Sequence, residues 1–241
     1  MRQWQNRQLR GLSRLADVIF VSTTRWESEI KEVSPKAVCH HLPVGSNLPY
    51  SRLSWEAARK NLRISSDTLV LGMFGSSHPS RMIDWMGAAV RGAASVQDEL
   101  VVLYVGKDGR AFREVCAGVP FMDQGPLPAE AAADRLRSMD LLISPFADGL
   151  STRRGSVIAG FQHGVAVAST WSSHTDALFR EDGPKNLILR PCGNLPAFLG
   201  GIEEWLENWK QGSGGNGEME EFFQRYFSWP VLAHRLLDCL R

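Results

Sequence analysis

Short apolar runs, several of them rich in Val, Ile and Leu, alternate with stretches of helical periodicity almost from end to end of this chain, and nothing else about it constrains the fold as much. Strands buried on both faces read as continuous apolar runs, and strands separated by helices belong to parallel βαβ units. The runs at 18–22, 37–42, 69–74, 101–105, 141–144, 165–169 and 187–189 predict strands. The patterns between them predict helices at 3–15, 24–33, 55–62, 81–94, 112–117, 129–139, 153–163, 195–209, 218–227 and 230–240, the last with a favourable Pro230 at its first position. The expected fold class is therefore α/β, a doubly wound, Rossmann-like, mainly parallel sheet.

Of 241 residues, 44% are hydrophobic and 22% charged, which excludes a disordered tail, a coiled coil and a collagen-like repeat. The 27 basic and 26 acidic side chains nearly cancel, so the cationic field of a nucleic-acid binder is absent. The charge is nevertheless uneven: residues 1–63 carry 11 basic and 5 acidic side chains, and the remainder is net acidic. Pro43, Gly45, Asn47 and Pro49 preclude regular structure and predict a linker at 43–53. The piece before it, 1–42, is one helix-strand-helix-strand unit, too small to bury its own core and expected to dock on a second copy or a partner chain. Residues 54–241 suffice for a complete sheet. The segment 211–217 (QGSGGNG) predicts a flexible connection.

The four cysteines, Cys39, Cys116, Cys192 and Cys239, are too dispersed for a metal knuckle or a disulfide scaffold, and a reducing, cytoplasmic location is expected. The longest uncharged run, 155–175, is interrupted by Gln162, His163, Ser169, Ser172, Ser173 and His174 and reads as core, not as a bilayer span. No apolar segment of signal-peptide length follows the N-terminal arginines. With Trp4, Leu9, Leu12 and three arginines, and Arg2 just before it, helix 3–15 offers one alternative, contact with the anionic face of a membrane, although most amphipathic helices pack on a core.

In open α/β sheets ligands bind beyond the carboxyl ends of the strands, so the turns after the strands carry the chemistry. Gly75-Ser76-Ser77-His78-Pro79-Ser80-Arg81 is a small-residue loop whose N–H groups suit an anion, with Arg81 as counter-charge, though any tight strand-to-helix turn needs a glycine as well. Gly106-Lys107-Asp108-Gly109 is a turn of low specificity. The most informative segment runs from Ser144 through Asp148, Gly149, Ser151, Thr152, Arg153 and Arg154 to Ser156. Hydroxyls at a helix mouth followed by two guanidinium forks favour a diphosphate. Paired arginines in a first helical turn oppose the helix dipole and so call for a reason other than helix stability. The bland account makes Ser151 an N-cap and leaves both arginines solvated.

The order strand–FGSSHPSR–helix, strand–VGKDG, then SPFADGLSTRRGS–helix–HGVAVAST and a closing FSWPVLAHRLL resembles the C-terminal, donor-binding half of GT-B glycosyltransferases of the retaining, family-4-like type. Residues 17–49 resemble the end of that architecture's N-terminal domain, most of which has no counterpart here. The resemblance implies that Gly75 belongs to the first donor-side loop and that Arg81 contacts the donor diphosphate. It places Asp148 as the acidic residue near the donor sugar, and Gly149 and Ser151 as phosphate contacts. Ser76 stands where a basic residue is usual and Ser156 where a ribose-binding glutamate is usual; Arg153 and Arg154 are expected to compensate.

The implied reaction moves a sugar, of hexosyl type, from a nucleotide-diphosphate sugar to an unknown acceptor hydroxyl with retention, in polysaccharide or glycoconjugate biosynthesis. Arg81 and Asp148 are its implied catalytic residues, and no cofactor is needed. No Asp-x-Asp, paired-His or EF-hand-like pattern occurs, as expected for metal independence. None of the six histidines is assigned a catalytic role: His40 and His41 flank a strand end, His78 lies beside the first loop and His163 precedes a glycine. The alternative is a nucleotide-sugar-binding or regulatory module without turnover. A third possibility, an unrelated doubly wound domain, lacks both the acidic cluster of a response regulator and a Gly-x-Gly-x-x-Gly motif.

Overall fold

The computed structural model describes residues 2–210 and 217–240; residues 211–216 of the expected flexible connection lie outside them. The elements run α1 (Arg2–Ser13), β1 (Ile19–Val21), α2 (Thr24–Val33), β2 (Cys39–His41), α3 (Trp55–Leu62), β3 (Leu69–Phe74), α4 (Ile83–Ala94), β4 (Leu100–Val105), α5 (Gly109–Val115), β5 (Phe121–Asp123), α6 (Ala129–Arg137), β6 (Leu141–Ile143), α7 (Gly155–Gln162), β7 (Ala166–Trp171), α8 (Ala177–Glu181), β8 (Leu187–Pro191), α9 (Leu195–Lys210), α10 (Gly217–Tyr226) and α11 (Trp229–Cys239).

Strands β3 to β8 form a six-stranded, wholly parallel sheet in the order β5-β4-β3-β6-β7-β8. Counted from β3 this is the 3-2-1-4-5-6 order of a doubly wound dinucleotide fold, with its switch point between β3 and β6. Alternation along each strand divides the core into two layers. Val70, Leu103, Leu142 and Val167 face α6, α7 and α10, where Leu136, Phe161 and Phe223 are fully or almost fully buried. Leu71, Met73, Val102, Leu141 and Ile143 face α4, α5 and α9, against Met86, Phe112 and Phe198. At about 1.5–3 kcal/mol per fully buried large apolar side chain, these layers are the main source of stability. The Arg59–Asp140 ion pair lies between α3 and the start of β6, with Arg59 1% exposed; Asp140 also accepts the Val70 N–H at 2.8 Å.

Two elements were not visible in the sequence pattern, β5 and α8, because a three-residue edge strand and a five-residue helix are too short to show a period. Two helices begin later than expected, and both shifts matter for the site. Arg81 is not in α4 but makes an antiparallel bridge with Phe146. Arg153 and Arg154 precede α7, because the chain first turns through Arg154 N–H to Ser151 O (3.0 Å) and Gly155 N–H to Arg153 O (3.1 Å). The dipole conflict expected of arginines inside a first helical turn does not arise in that form.

The front piece forms its own two-stranded parallel sheet, β1 beside β2, with a small cluster of Val21, Ile30 and Cys39. It is tied to the larger sheet by polar contacts. Buried Asp176 accepts from Thr24 N (2.8 Å), Thr24 Oγ1 (2.7 Å) and Thr152 N (2.7 Å), and His41 Nε2 is 2.8 Å from Thr152 Oγ1. Residues 42–54 contain no helix or strand and are strapped down by Trp229 Nε1 to Ser46 O (2.9 Å) and Gln162 Nε2 to Leu48 O (3.1 Å). Among the described residues, no helix is long and apolar enough to cross a membrane.

Candidate functional site

The switch point brings the loop after β3 against the turn after β6. The backbone bridge between Arg81 and Phe146 joins them, and Ala147 N–H reaches Ser80 O at 2.8 Å. Gly75 closes β3, and a Cβ there would stand 3.3 Å from the Arg81 Nη2, so the guanidinium lies directly beneath the loop. Ser76 is exposed and contributes its carbonyl to His78 N–H. The His78 ring stays local: its Nδ1 accepts the Ser80 N–H at 3.1 Å.

Arg81 is 8% exposed and donates from Nη1 to Ser144 Oγ and from Nη2 to Ser156 Oγ, both at 3.3 Å. Its Nε has no partner, and among the described residues no carboxylate pairs with it. Burial, and then the neighbouring Arg154 charge, pull its pKa down to about 10. Arg154 is partly buried, donating to Ser80 Oγ at 3.0 Å and to Asp148 Oδ1, while Arg153 donates to Asp148 Oδ2 at 2.8 Å. The cluster thus sets three guanidinium groups against one carboxylate. Buried charge without compensation is costly, so a cluster built this way favours a compensating negative charge.

Gly149 adopts φ +79°, and a Cβ there would come within 2.7 Å of Ser172 N and 2.3 Å of Thr175 Oγ1, so the turn requires glycine. Its N–H is committed to Phe146 O at 3.0 Å. The Ser151 hydroxyl is buried without a partner. Ser156 sits in the first turn of α7, an anion-friendly position that its small side chain leaves open to Arg81.

The structure therefore gathers Gly75, Arg81, Asp148, Arg153, Arg154 and Ser156 at one place, and leaves Ser76 at the rim. Sequence reasoning missed Phe146, against whose ring Arg81 and Arg154 both stand, and Trp26 of α2, its ring centroid 5.1 Å from the Arg153 guanidinium carbon. It also missed Asp176 and Tyr104, which carry no motif. A cavity of about 430 Å³ lined by Ser77, His78, Arg81, Met82 and Trp85 opens beside the loop. A larger groove, about 740 Å³, lies along β8 and α9, away from the switch point, and is lined by charges of both signs, Lys185, Arg190, Glu204, Glu218 and Glu221. Among the described residues, no group of three or more His, Cys, Asp or Glu side chains is placed to hold a metal ion.

No protein-family profile and no curated protein matches the chain. Solved structures do. Sucrose-phosphate synthase from Thermosynechococcus elongatus superimposes with a TM-score of 0.78 at 18% identity, covering 99% of this chain and 61% of its own. Anabaena Alr3699/HepE in complex with UDP and glucose gives 0.71 at 12% identity, over 98% of this chain and 67% of that one. The fold is that of a GT-B glycosyltransferase. Staphylococcus aureus TarM, solved with UDP and a GlcNAc-glycerol, shares it with a TM-score of 0.70 at 12% identity, over 96% of this chain and 45% of that one. The chain spans 61% of the synthase, less than two thirds of it. Its GT-B sheet is the six-stranded one, and the arginine cluster lies at that sheet's switch point.

Proposed function

We propose that the chain binds a nucleotide-diphosphate sugar at the switch point and serves as the donor half of a retaining glycosyltransferase. The observation that carries this reading is Arg81, a buried guanidinium without a carboxylate, under a glycine loop and beside the first turn of α7. Three arginines against Asp148 leave two positive charges unbalanced, which matches the two ionised phosphates of a diphosphate ester. UDP in the crystallised HepE and TarM supports the same ligand class.

In this reading residues 54–241 hold the donor, 43–53 link, and 1–42 close an acceptor-side domain completed by further chain, a second copy or a partner. As the bond from the anomeric carbon to the diphosphate oxygen breaks, its electron pair passes to the diphosphate, the acceptor oxygen bonds to the anomeric carbon, and the acceptor's proton passes to the departing diphosphate oxygen. Fixed guanidinium groups and helix amides aimed at that developing charge are each worth a few kcal/mol. A second reading, a binding module without turnover, is favoured by one observation: both Asp148 carboxylate oxygens are held by arginines and so are engaged away from a sugar.

A thermal-shift and calorimetric panel of nucleoside diphosphates and their sugars tests both. A ligand at a hundred times its Kd stabilises by about 2.7 kcal/mol, and one base should be selected. The double variant Arg153→Ala, Arg154→Ala should stay folded and lose that shift. Unchanged affinity in the double variant, or no shift with any ligand, overturns the site; binding without sugar transfer or donor hydrolysis supports the module.

A further inference from the structure

Tyr104, the penultimate residue of β4, is fully buried, and its ring is stacked 4.6 Å from Phe112 and 6.3 Å from Phe121. Apolar packing of this kind asks only for an aromatic ring, and Phe would supply it. The hydroxyl is nevertheless used twice. It donates to Gly75 O at 2.9 Å and accepts Asp108 N–H at 2.9 Å, and the Asp108 carboxylate in turn accepts Ser77 N–H at 2.7 Å. The chain makes room for this contact: a Cβ at Gly106 would lie 2.3 Å from the Tyr104 hydroxyl and 2.4 Å from Gly75 O. The Gly106-Lys107-Asp108-Gly109 turn, which carries no ligand motif, therefore has a task, since it laces the β4 loop to the loop that covers Arg81.

We propose that Tyr104, with Asp108, is a positioning residue for the donor: it holds the 75–77 loop at the height that leaves the Arg81 guanidinium aimed at the diphosphate. Gly75 stands between the two, its carbonyl on the Tyr104 hydroxyl and its Cα face 3.3 Å, measured from an added Cβ, from Arg81 Nη2. This rests on the donor reading given above, and goes beyond it by assigning residues that touch no ligand.

The test uses the whole chain and compares wild type with Tyr104→Phe, Asp108→Ala and Asp108→Asn. Amide hydrogen exchange is followed across 75–81, and binding is measured with UDP, GDP and ADP. Tyr104→Phe and Asp108→Ala should speed exchange in 75–81 alone, lower the melting temperature by no more than a few degrees, and weaken the selected nucleotide about fivefold, the worth of one net hydrogen bond. Asp108→Asn, whose amide oxygen still accepts Ser77 N–H, should restore affinity. Unchanged exchange overturns the tether whatever binds. Faster exchange with unchanged nucleotide affinity, or a loss of melting temperature with no change in affinity, overturns the positioning role and leaves a structural one. No binding of any of the three by wild type overturns the donor reading and this proposal with it, and the exchange result then shows whether the tether itself exists.

Discussion

Arg81 and Arg154 stand against the same aromatic ring, that of Phe146, with guanidinium carbons 5.3 and 4.0 Å from its centroid. Two cations drawn to one ring are by themselves a poor arrangement, since the Arg154 charge disfavours that of Arg81 and burial disfavours both. Arg154 is offset by Asp148; Arg81 has only the Ser144 and Ser156 hydroxyls. On the proposed reading, an anion bound here would offset a charge imbalance that the fold otherwise carries, as expected where function opposes stability.

Arg81→Met should therefore stabilise the unliganded protein. Replacing an uncompensated buried cation by an apolar side chain of similar length is expected to raise stability by about 1 kcal/mol, while nucleotide-diphosphate binding disappears. Calorimetric melting and titration of the same sample check it; a lower melting temperature would make Arg81 a structural residue.

Asp148→Asn separates the two roles a carboxylate can have at this position. Its oxygens now occupy Arg153 and Arg154, so the neutral amide should free both and tighten binding of free nucleoside diphosphate severalfold. Sugar transfer should fall in the same variant. Weaker diphosphate binding would show that Asp148 orients the arginines instead of competing for them.

Gly149→Ala places a side chain at φ +79° and drives it into Ser172 N and Thr175 Oγ1. The cost should be about 2 kcal/mol or more, read as a lower denaturation midpoint, because the obstruction includes backbone. Nucleotide affinity should fall as well, since the turn carries Ser151 and Arg153.

Stability should decline as pH falls below about 6.5. Burial pushes both His41 and His163 below the usual histidine value, against the opposing pull of Asp176 and Glu27 on His41 and of backbone carbonyls on His163. Between the folded and unfolded values the unfolded chain binds more protons, so the stability present above the unfolded pKa is lost on acidification. Melting temperature against pH should flatten in this range for the double variant His41→Gln, His163→Gln.

Apart from the short edge strand β5, the strands from Leu69 to Leu189 were legible because burial on both faces demands unbroken apolar runs, a local property of the chain. The arginines at 153 and 154 were legible as an electrostatic oddity, although the helix they were expected to open begins at Gly155. Phe146, Trp26 and Asp176 were not legible: an aromatic or a carboxylate with no periodic neighbours has the same appearance whether it is solvated, packed or holding two parts of the chain together.

The sequence by itself determined the fold class, the order of all elements but β5 and α8, and the glycine turns where ligands of such folds bind, because periodicity and turn chemistry are read over a few adjacent residues. Only the tertiary structure decided which charges meet. Arg81 is buried without a carboxylate because β6 pairs with β3 across the switch point, a partner 70 residues away in the Leu71–Leu141 register. Tyr104 reaches Gly75 because β4 pairs with β3 on the other side. Strand order is set by the packing of whole layers, and no window along the chain contains it.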